Sequence, residues 1–534
     1  MSEKTRQREP ASETMSAMRI VLAAIGVSVL AAAGAHLLGQ PAPPRTHLVI
    51  VVDGLRPDSV TAEVMPRLTR LGQRGIVFTA HHSVFPTVTR VNASSFVTGA
   101  YPESHGLLGN DIYIPSVNAS AALDTGERKN LESVARADGW LLGVPTLGEI
   151  MQRAGRNLLA VSSGSTGSSL LLNHTPGAGA LIHSEYTLPP ELGPRVLAAL
   201  GPAPPHATPN DPQNQRAIDA YLKFGIEHLR PDVTLMWLND PDGTAHVNGI
   251  GAPLTRRSLM LVDAGIGRIE DTLRSQGRLD QTNIIVTSDH GFSTETGTLM
   301  LSALVAPFVR KMDDGSPDVV VAEGAIYLRS KSDSTRLQAI VAALQRRPEV
   351  GAIFTQSRRL FELGTAAEGP ANDKLFEGVV PGTLSFDVAR WGNRARSGDI
   401  LVSANWSHTV NGAGVPGTTT QEGVAGHGTS SPYDIHNTLI AAGPDFREHA
   451  TSEIPTGNVD LAPTLLQLLG LPVPQTMTGR IMREALREGP TASTVRVEHV
   501  TETVKTPDGS YELTAHTSVV DGHRYLDYTE VVRH

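Results

Sequence analysis

Residues 47–55 read HLVIVVDGL, five consecutive aliphatic side chains (Leu48 to Val52) closed by Asp53 and Gly54. A run without polar alternation suits a strand covered on both faces rather than one with a face in water. The Asp-Gly pair ends that strand in a turn and leaves a carboxylate at its carboxyl edge, where open α/β sheets gather their ligands. Four later stretches repeat the pattern: NLLAVSS (157–163), DVTLMWLND (232–240), NIIVTSDH (283–290) and NTLIAAGP (437–444). Amphipathic segments lie between them. Leu259, Val262, Ile266, Ile269 and Leu273 alternate spacings of three and four, and Leu337, Ile340 and Leu344 share one helical face. Each set forms an apolar stripe that packs on a sheet. Strands alternating with such helices predict an α/β fold with a largely parallel sheet sandwiched between helices.

Residues 111–145 and roughly 300–425 interrupt this rhythm with Gly, Pro, Asn and Ser and only scattered strand signals, and read as insertions into a catalytic domain spanning 46–485. After it, residues 486–534 carry TVRVEHVTETV and GSYELTAHTSVV around Pro507-Asp508-Gly509, which predicts a C-terminal β-hairpin extension. Before it, Lys4, Arg6, Arg8 and Arg19 precede the apolar run Ile20 to Ala35, which ends in small residues and a Pro-rich linker. Residues 1–45 therefore read as a signal peptide or an uncleaved single anchor, and the chain as exported to the periplasm or the outside of the cell.

The composition narrows the chemistry. With 45 basic and 54 acidic residues the net charge is -9, so no basic footprint exists for a nucleic-acid duplex. There is no cysteine. Disulfides, thiolate metal sites and cysteine nucleophiles are excluded, and any metal must rest on His and Asp/Glu.

Such residues recur where the predicted strands end. Asp53 closes the first; Asp242 and His246 follow TLMWLND at a four-residue spacing; Asp289 and His290 close IIVTSD; His427 sits between Gly426 and Gly428. Oxygen and nitrogen donors arriving from separate strand ends suit zinc bound without thiolate, at one metal or two. Thr87 and Thr89 precede a predicted helix over Asn92 to Thr98. The free N–H groups at a helix start favour an anion, and a hydroxyl there becomes a competent nucleophile when a metal stabilises its alkoxide. On the residues alone, either threonine fits.

Together D-G-L-R-P-D (53–58), P-T-V-T-R-V-N (86–92), V-T-G-A-Y-P-E-S-H-G (97–106) with Asn110, P-D-G-T-A-H (241–246), S-D-H-G (288–291) and G-H-G (426–428) resemble, in order, the motifs of the nucleotide pyrophosphatase/phosphodiesterase family of the alkaline phosphatase superfamily. The resemblance implies an alkaline phosphatase-like fold and two zinc ions, one held by Asp53, Thr89, Asp289 and His290, the other by Asp242, His246 and His427. It implies Thr89 as nucleophile, Thr87 as loop support, and Asn110 as phosphate-oxygen donor together with the backbone amide near residue 90. The implied substrate is a small phosphorylated molecule, a nucleotide among the options, hydrolysed through a phosphothreonine. One departure stands out: the family usually reads T-F-P-N where Thr89 is here followed by Arg90-Val91-Asn92. Arg90 makes phosphomonoester or phosphonate hydrolysis the alternative activity. A non-catalytic binding protein on this fold is the alternative of a different class, and the presence of a competent residue at every position argues against it.

Overall fold

The computed structural model describes residues 45–177, 179–330, 333–358 and 376–534. The leader read over 1–45 thus lies, apart from Arg45, outside the described residues, as does part of the predicted 300–425 insertion. Among the described residues no helix is long and apolar enough to cross a membrane.

The run at 47–52 is a strand, β1 (Thr46–Val52), at the centre of a nine-stranded sheet. The others are β2 (Ile76–Phe78), β3 (Leu158–Ser162), β4 (Ala180–His183), β5 (Thr187–Leu188), β6 (Val233–Leu238), β7 (Thr282–Thr287), β8 (Leu439–Ala442) and β9 (Ala450–Ser452). Their order is β9-β2-β8-β7-β1-β6-β3-β4-β5. β1 runs parallel to both neighbours, with Ile50 opposite Val286 on one side and Met236 on the other. Only β8, antiparallel to β7 and β2, and β5, antiparallel to β4, break the parallel pattern.

The absence of polar alternation in these strands has a direct cause in packing. Val49 and Val51 enter a first hydrophobic core, while Leu48, Ile50 and Val52 enter a second on the opposite face. β6 divides likewise, with Leu235 and Trp237 on one side and Met236 and Leu238 on the other. Each such side chain is worth about 1.5–3 kcal/mol when fully buried, so apolar side chains dominate both faces, with His47 and Thr234 as buried polar exceptions.

Two helices carry candidate site residues, α1 (Thr89–Thr98) and α2 (Asp242–Asn248), and two carry the apolar stripes read from sequence, α3 (Pro253–Ser275) and α4 (Ser334–Gln345). α3 buries the stripe Leu259, Val262, Ile266, Ile269 and Leu273 against the second core. α4 buries Ile340 and Leu344. α1 packs on the first core through Ala93, Phe96 and Val97, and Phe96 meets Trp237 edge to face at 6.0 Å.

The interrupting regions carry more order than their composition suggested. Residues 319–404 contribute a five-stranded sheet, and 293–299 join 406–426 in a four-stranded one. In 111–145, a two-stranded ladder pairs Asp111 with Asp124 and a helix follows at Arg128–Asp138. The predicted C-terminal hairpin is present as β10 (Val497–Lys505) and β11 (Tyr511–Val520), and β12 (His523–Arg533) adds a third antiparallel strand. Tyr511, Leu513 and Ala515 are buried in the first core, so this sheet is packed onto the molecule.

Candidate metal centre and nucleophile

β7, β1 and β6 are neighbours running in the same direction, so the residues just past their ends stand side by side. That is how Asp289, Asp53 and Asp242, distant in sequence, meet. Asp53 is positioned by Trp237, whose indole Nε1 donates to Oδ2 at 2.8 Å. Gly54, at φ +73, turns the chain so that its N–H reaches Asp289 Oδ1 at 3.1 Å. A Cβ on Gly54 would lie 2.9 Å from the Phe292 ring, so both the turn and the close approach require glycine here. The Asp242 amide donates to the Asp53 carbonyl at 3.1 Å and starts α2, which carries His246 one turn on.

The histidines enter with a shared orientation. Nδ1 of His246 donates to Ala425 O at 2.9 Å, Nδ1 of His290 to Gly291 O at 2.8 Å, and Nδ1 of His427 to Thr87 O at 2.8 Å. A carbonyl only accepts, so each ring carries a proton on Nδ1 and turns Nε2 toward the carboxylates. This is the outer-shell arrangement that orients metal-binding imidazoles. Nε2 of His290 is 3.1 Å from Asp289 Oδ2 and 3.5 Å from Asp53 Oδ1. Asp242 Oδ1 is 3.2 Å from His246 Nε2 and 3.4 Å from His427 Nε2. The His290 and His427 rings stack with centroids 3.5 Å apart.

Asp53 Oδ1, Asp242 Oδ1 and Asp289 Oδ2 are buried and no donor serves them. These are the same oxygens the Nε2 atoms face. A buried carboxylate oxygen without a donor costs several kcal/mol, and a cation between oxygens and ring nitrogens removes that cost. Two groupings have this geometry: Asp53, Asp289 and His290; and Asp242, His290 and His427, with His246 beside Asp242. The residues therefore fit metal ions.

The electrostatics show the same crowding. Burial, then the neighbouring charges of Asp289 and Asp242, holds the Asp53 carboxyl well above its ordinary range. Burial pushes Asp242 the same way, but His246 and His427 more than offset it and its carboxyl falls well below. For His246 burial opposes the charged ring, yet Asp242 raises it to about 9; His427, buried and beside His290, is pushed down to about 4.

Thr89 adjoins the first grouping. It is 6% exposed, and its Oγ1 lies 3.4 Å from His290 Nε2. The predicted helix begins three residues earlier than expected, at Thr89 itself, because Asn92 clasps the preceding loop. Its Nδ2 donates to Val84 O at 3.0 Å and Val88 O at 3.1 Å, and its Oδ1 accepts from Val84 N at 2.8 Å. Thr87 is otherwise engaged: its hydroxyl donates to Thr429 O at 2.8 Å and accepts from Gly428 N at 3.1 Å. That leaves Thr89 as the hydroxyl with a free line to the site.

Asn110 stands at the start of α1. Its Oδ1 accepts from the Arg90 backbone amide at 3.1 Å, which leaves Nδ2 as the donor of that side chain and occupies the backbone amide expected from sequence to serve an anion. The Asn110 amide donates to Glu323 Oε2 at 2.7 Å. Arg90 Nη2 reaches Asp124 Oδ1 at 3.3 Å. Burial, with Asp111 beside it, raises the Glu323 carboxyl to about 7. Trp237, Asn92, Asp124 and Glu323 were not among the residues singled out from sequence. Of these only Trp237 carries a signal, since a buried indole N–H needs an acceptor.

The sequence profile of the type I phosphodiesterase/nucleotide pyrophosphatase family matches residues 47–430. Mouse ectonucleotide pyrophosphatase/phosphodiesterase family member 1 is 28% identical over 249 residues, 46% of this chain and 24% of that protein. Venom phosphodiesterase 2 of Crotalus adamanteus is 25% identical over 228 residues, 43% of this chain and 24% of that protein. The match thus spans about a quarter of these relatives' length. Among solved structures, a variant of alkaline phosphatase PafA superposes with TM-score 0.62 at 17% identity, covering 84% of this chain and all (100%) of that one. Murine ectonucleotide pyrophosphatase/phosphodiesterase 5 in complex with AMP superposes with TM-score 0.54 at 19% identity, covering 80% and 96%. These likenesses establish an alkaline phosphatase-like fold.

Proposed function

The chain belongs to the type I phosphodiesterase/nucleotide pyrophosphatase family, and from that premise we propose that it is an exported two-zinc hydrolase of small phosphodiesters that attacks with the Thr89 hydroxyl. One observation carries the reading: three donorless carboxylate oxygens, three Nε2 atoms and the Thr89 hydroxyl converge at the ends of adjacent strands. Asp53, Thr89, Asp289 and His290 would hold one zinc, and Asp242, His246 and His427 the other. Bound zinc supplies Lewis-acid stabilisation of the Thr89 alkoxide and of the departing oxygen.

The chain's own residues do the rest. Thr89 Oγ1 forms a bond to phosphorus while the bond to the leaving oxygen breaks and the alcohol departs with a proton. Water then attacks the phosphothreonine, giving a phosphorylated product and regenerating the hydroxyl; two in-line displacements retain configuration at phosphorus. Asn110 Nδ2, freed because its Oδ1 is engaged by the Arg90 amide, donates to a non-bridging oxygen as charge develops there. Export rests on the segment at residues 1–45, and nucleotides are one candidate substrate class within the phosphodiesters.

The test is a comparison of rates on bis-p-nitrophenyl phosphate, p-nitrophenyl phosphate and phosphonoacetate with zinc added. A preference for the diester is expected. Preference for either other substrate replaces the diester reading with a monoester or phosphonate one, and no turnover of any of the three promotes a narrow natural substrate or the binding-protein alternative.

A further inference from the structure

Arg90, the residue that departs from the family pattern, follows the proposed nucleophile directly, and its charge is shared with a carboxylate. Nη2 makes a single 3.3 Å contact with Asp124 Oδ1, not the bidentate fork of a strong guanidinium–carboxylate pair. Nε of Arg90 is buried without an acceptor. Asp124 is itself fixed, because its Oδ1 accepts from Gly126 N at 2.7 Å. Gly126 has no side chain to obstruct the approach; a Cβ there would lie 2.8 Å from Arg90 Nη2.

Two further carboxylates share this end of the site. Asp111 stands directly opposite Asp124 in the short ladder, an arrangement of like charges that costs stability unless something offsets it. Glu323 sits at φ +53, a backbone conformation rare outside glycine, with Oε2 on the Asn110 amide. One guanidinium is thus set among three carboxyl groups around Asn110.

We propose that Asp124, by holding Arg90 and acting with Asp111 and Glu323, makes the charge around Asn110 reject a dianionic phosphomonoester and admit a monoanionic phosphodiester. The inference rests on the phosphodiester reading above and assigns its charge selectivity to residues from both interrupting regions. A monoester brings one more negative charge than a diester, so it would have to draw Arg90 off Asp124 and face the remaining carboxylates. A diester does neither.

The test is the ratio of kcat/KM for p-nitrophenyl phosphate to that for bis-p-nitrophenyl phosphate, in the zinc-loaded protein and in Asp124→Asn. The amide keeps an oxygen for Gly126 N–H while removing the charge. The ratio should rise about threefold, since the Asp124 side chain is largely exposed and solvent screens the charge that is removed. Inhibition by inorganic phosphate should tighten to a similar extent. In the double variant Asp124→Asn/Arg90→Ala the gain should be lost, because the freed guanidinium is its source. Glu323→Gln, which leaves the Arg90–Asp124 contact in place, should move the ratio the same way by a smaller factor and serves if Asp124→Asn does not fold. A ratio unchanged in Asp124→Asn and in Glu323→Gln, or a gain that survives loss of Arg90, overturns the inference while leaving the diester reading intact. A wild-type protein that does not hydrolyse the diester overturns both.

Discussion

Thr89 and His427 separate the two contributions the site makes, a nucleophile and a metal scaffold. Thr89 offers one hydroxyl beside His290 Nε2, whereas the carboxylates and imidazoles that would hold cations remain without it. Thr89→Ala should therefore lower turnover by roughly 10³-fold or more while zinc content, read by elemental analysis, stays nearly unchanged. Wild-type turnover in that variant would move the nucleophile elsewhere. His427→Ala removes a ring whose Nε2 faces Asp242 and whose Nδ1 is locked on Thr87 O, and should cost about one equivalent of bound zinc; full stoichiometry would refute its assignment. That these residues were legible in sequence follows from the strands. Buried strands of a parallel sheet are dominated by apolar side chains, so Asp53, Asp242 and Asp289 stand out where the apolar runs stop. Asp124 had no such contrast, because it lies in a segment already polar, and Glu323, although it closes the apolar run Val319 to Ala322, sits inside a stretch whose Gly, Pro, Asn and Ser content reads as an insertion.

At the scale of the element, α1 depends on Asn92 more than on any intrinsic cap. Its N-cap, Val88, contributes no side-chain hydrogen bond. Instead Asn92 is buried and bonds Val84 through both its N–H and its carbonyl, Val88 O, and Asn458. Asn92→Ala takes the side-chain partner from the Val84 amide and the Val84 carbonyl, while Val88 O keeps the backbone N–H of residue 92; this costs about 1–3 kcal/mol for each group left unsatisfied and loosens the loop that aims Thr89. Its denaturation midpoint should fall, and kcat should fall further than the stability loss accounts for at assay temperature. A variant destabilised but fully active when folded would show that Asn92 does not position the nucleophile. The helix start at Thr89 was missed from sequence for this reason, since a side-chain clasp from inside the helix leaves no capping signature. The third C-terminal strand did leave one. Asp521 and Gly522, both at positive φ, form the two-residue turn that an Asp-Gly pair between β-rich runs announces.

At the scale of the whole molecule, two cores meet across one sheet, and histidines enclosed in them tie the fold's stability to pH. His105 is fully buried, accepts from Leu107 N at Nδ1 and faces Ser95 Oγ with Nε2, which holds it neutral. Burial pushes its pKa down to about 3, and that of His81 also to about 3. In the unfolded chain a histidine titrates near 6.5. Between those values the unfolded state binds a proton that the folded state refuses, so each ring removes stability as pH falls from about 6.5, by up to about 1.4 kcal/mol per pH unit. Above about 6.5 both states are neutral and the effect vanishes. Buried acids such as Asp434 and Asp460, raised mainly by burial, act in the opposite sense, because the folded state takes up their protons first. The wild-type slope therefore mixes both signs, and a variant isolates one. His105→Gln keeps a polar side chain but cannot titrate, so its unfolding free energy from denaturant titrations between pH 6 and 4 should fall less steeply than the wild type's. The difference should approach one proton's worth of slope. Parallel slopes would mean that His105 takes up a proton in the folded protein, and that its enclosure between α1 and the Leu107 amide is looser than the hydrogen bonds imply.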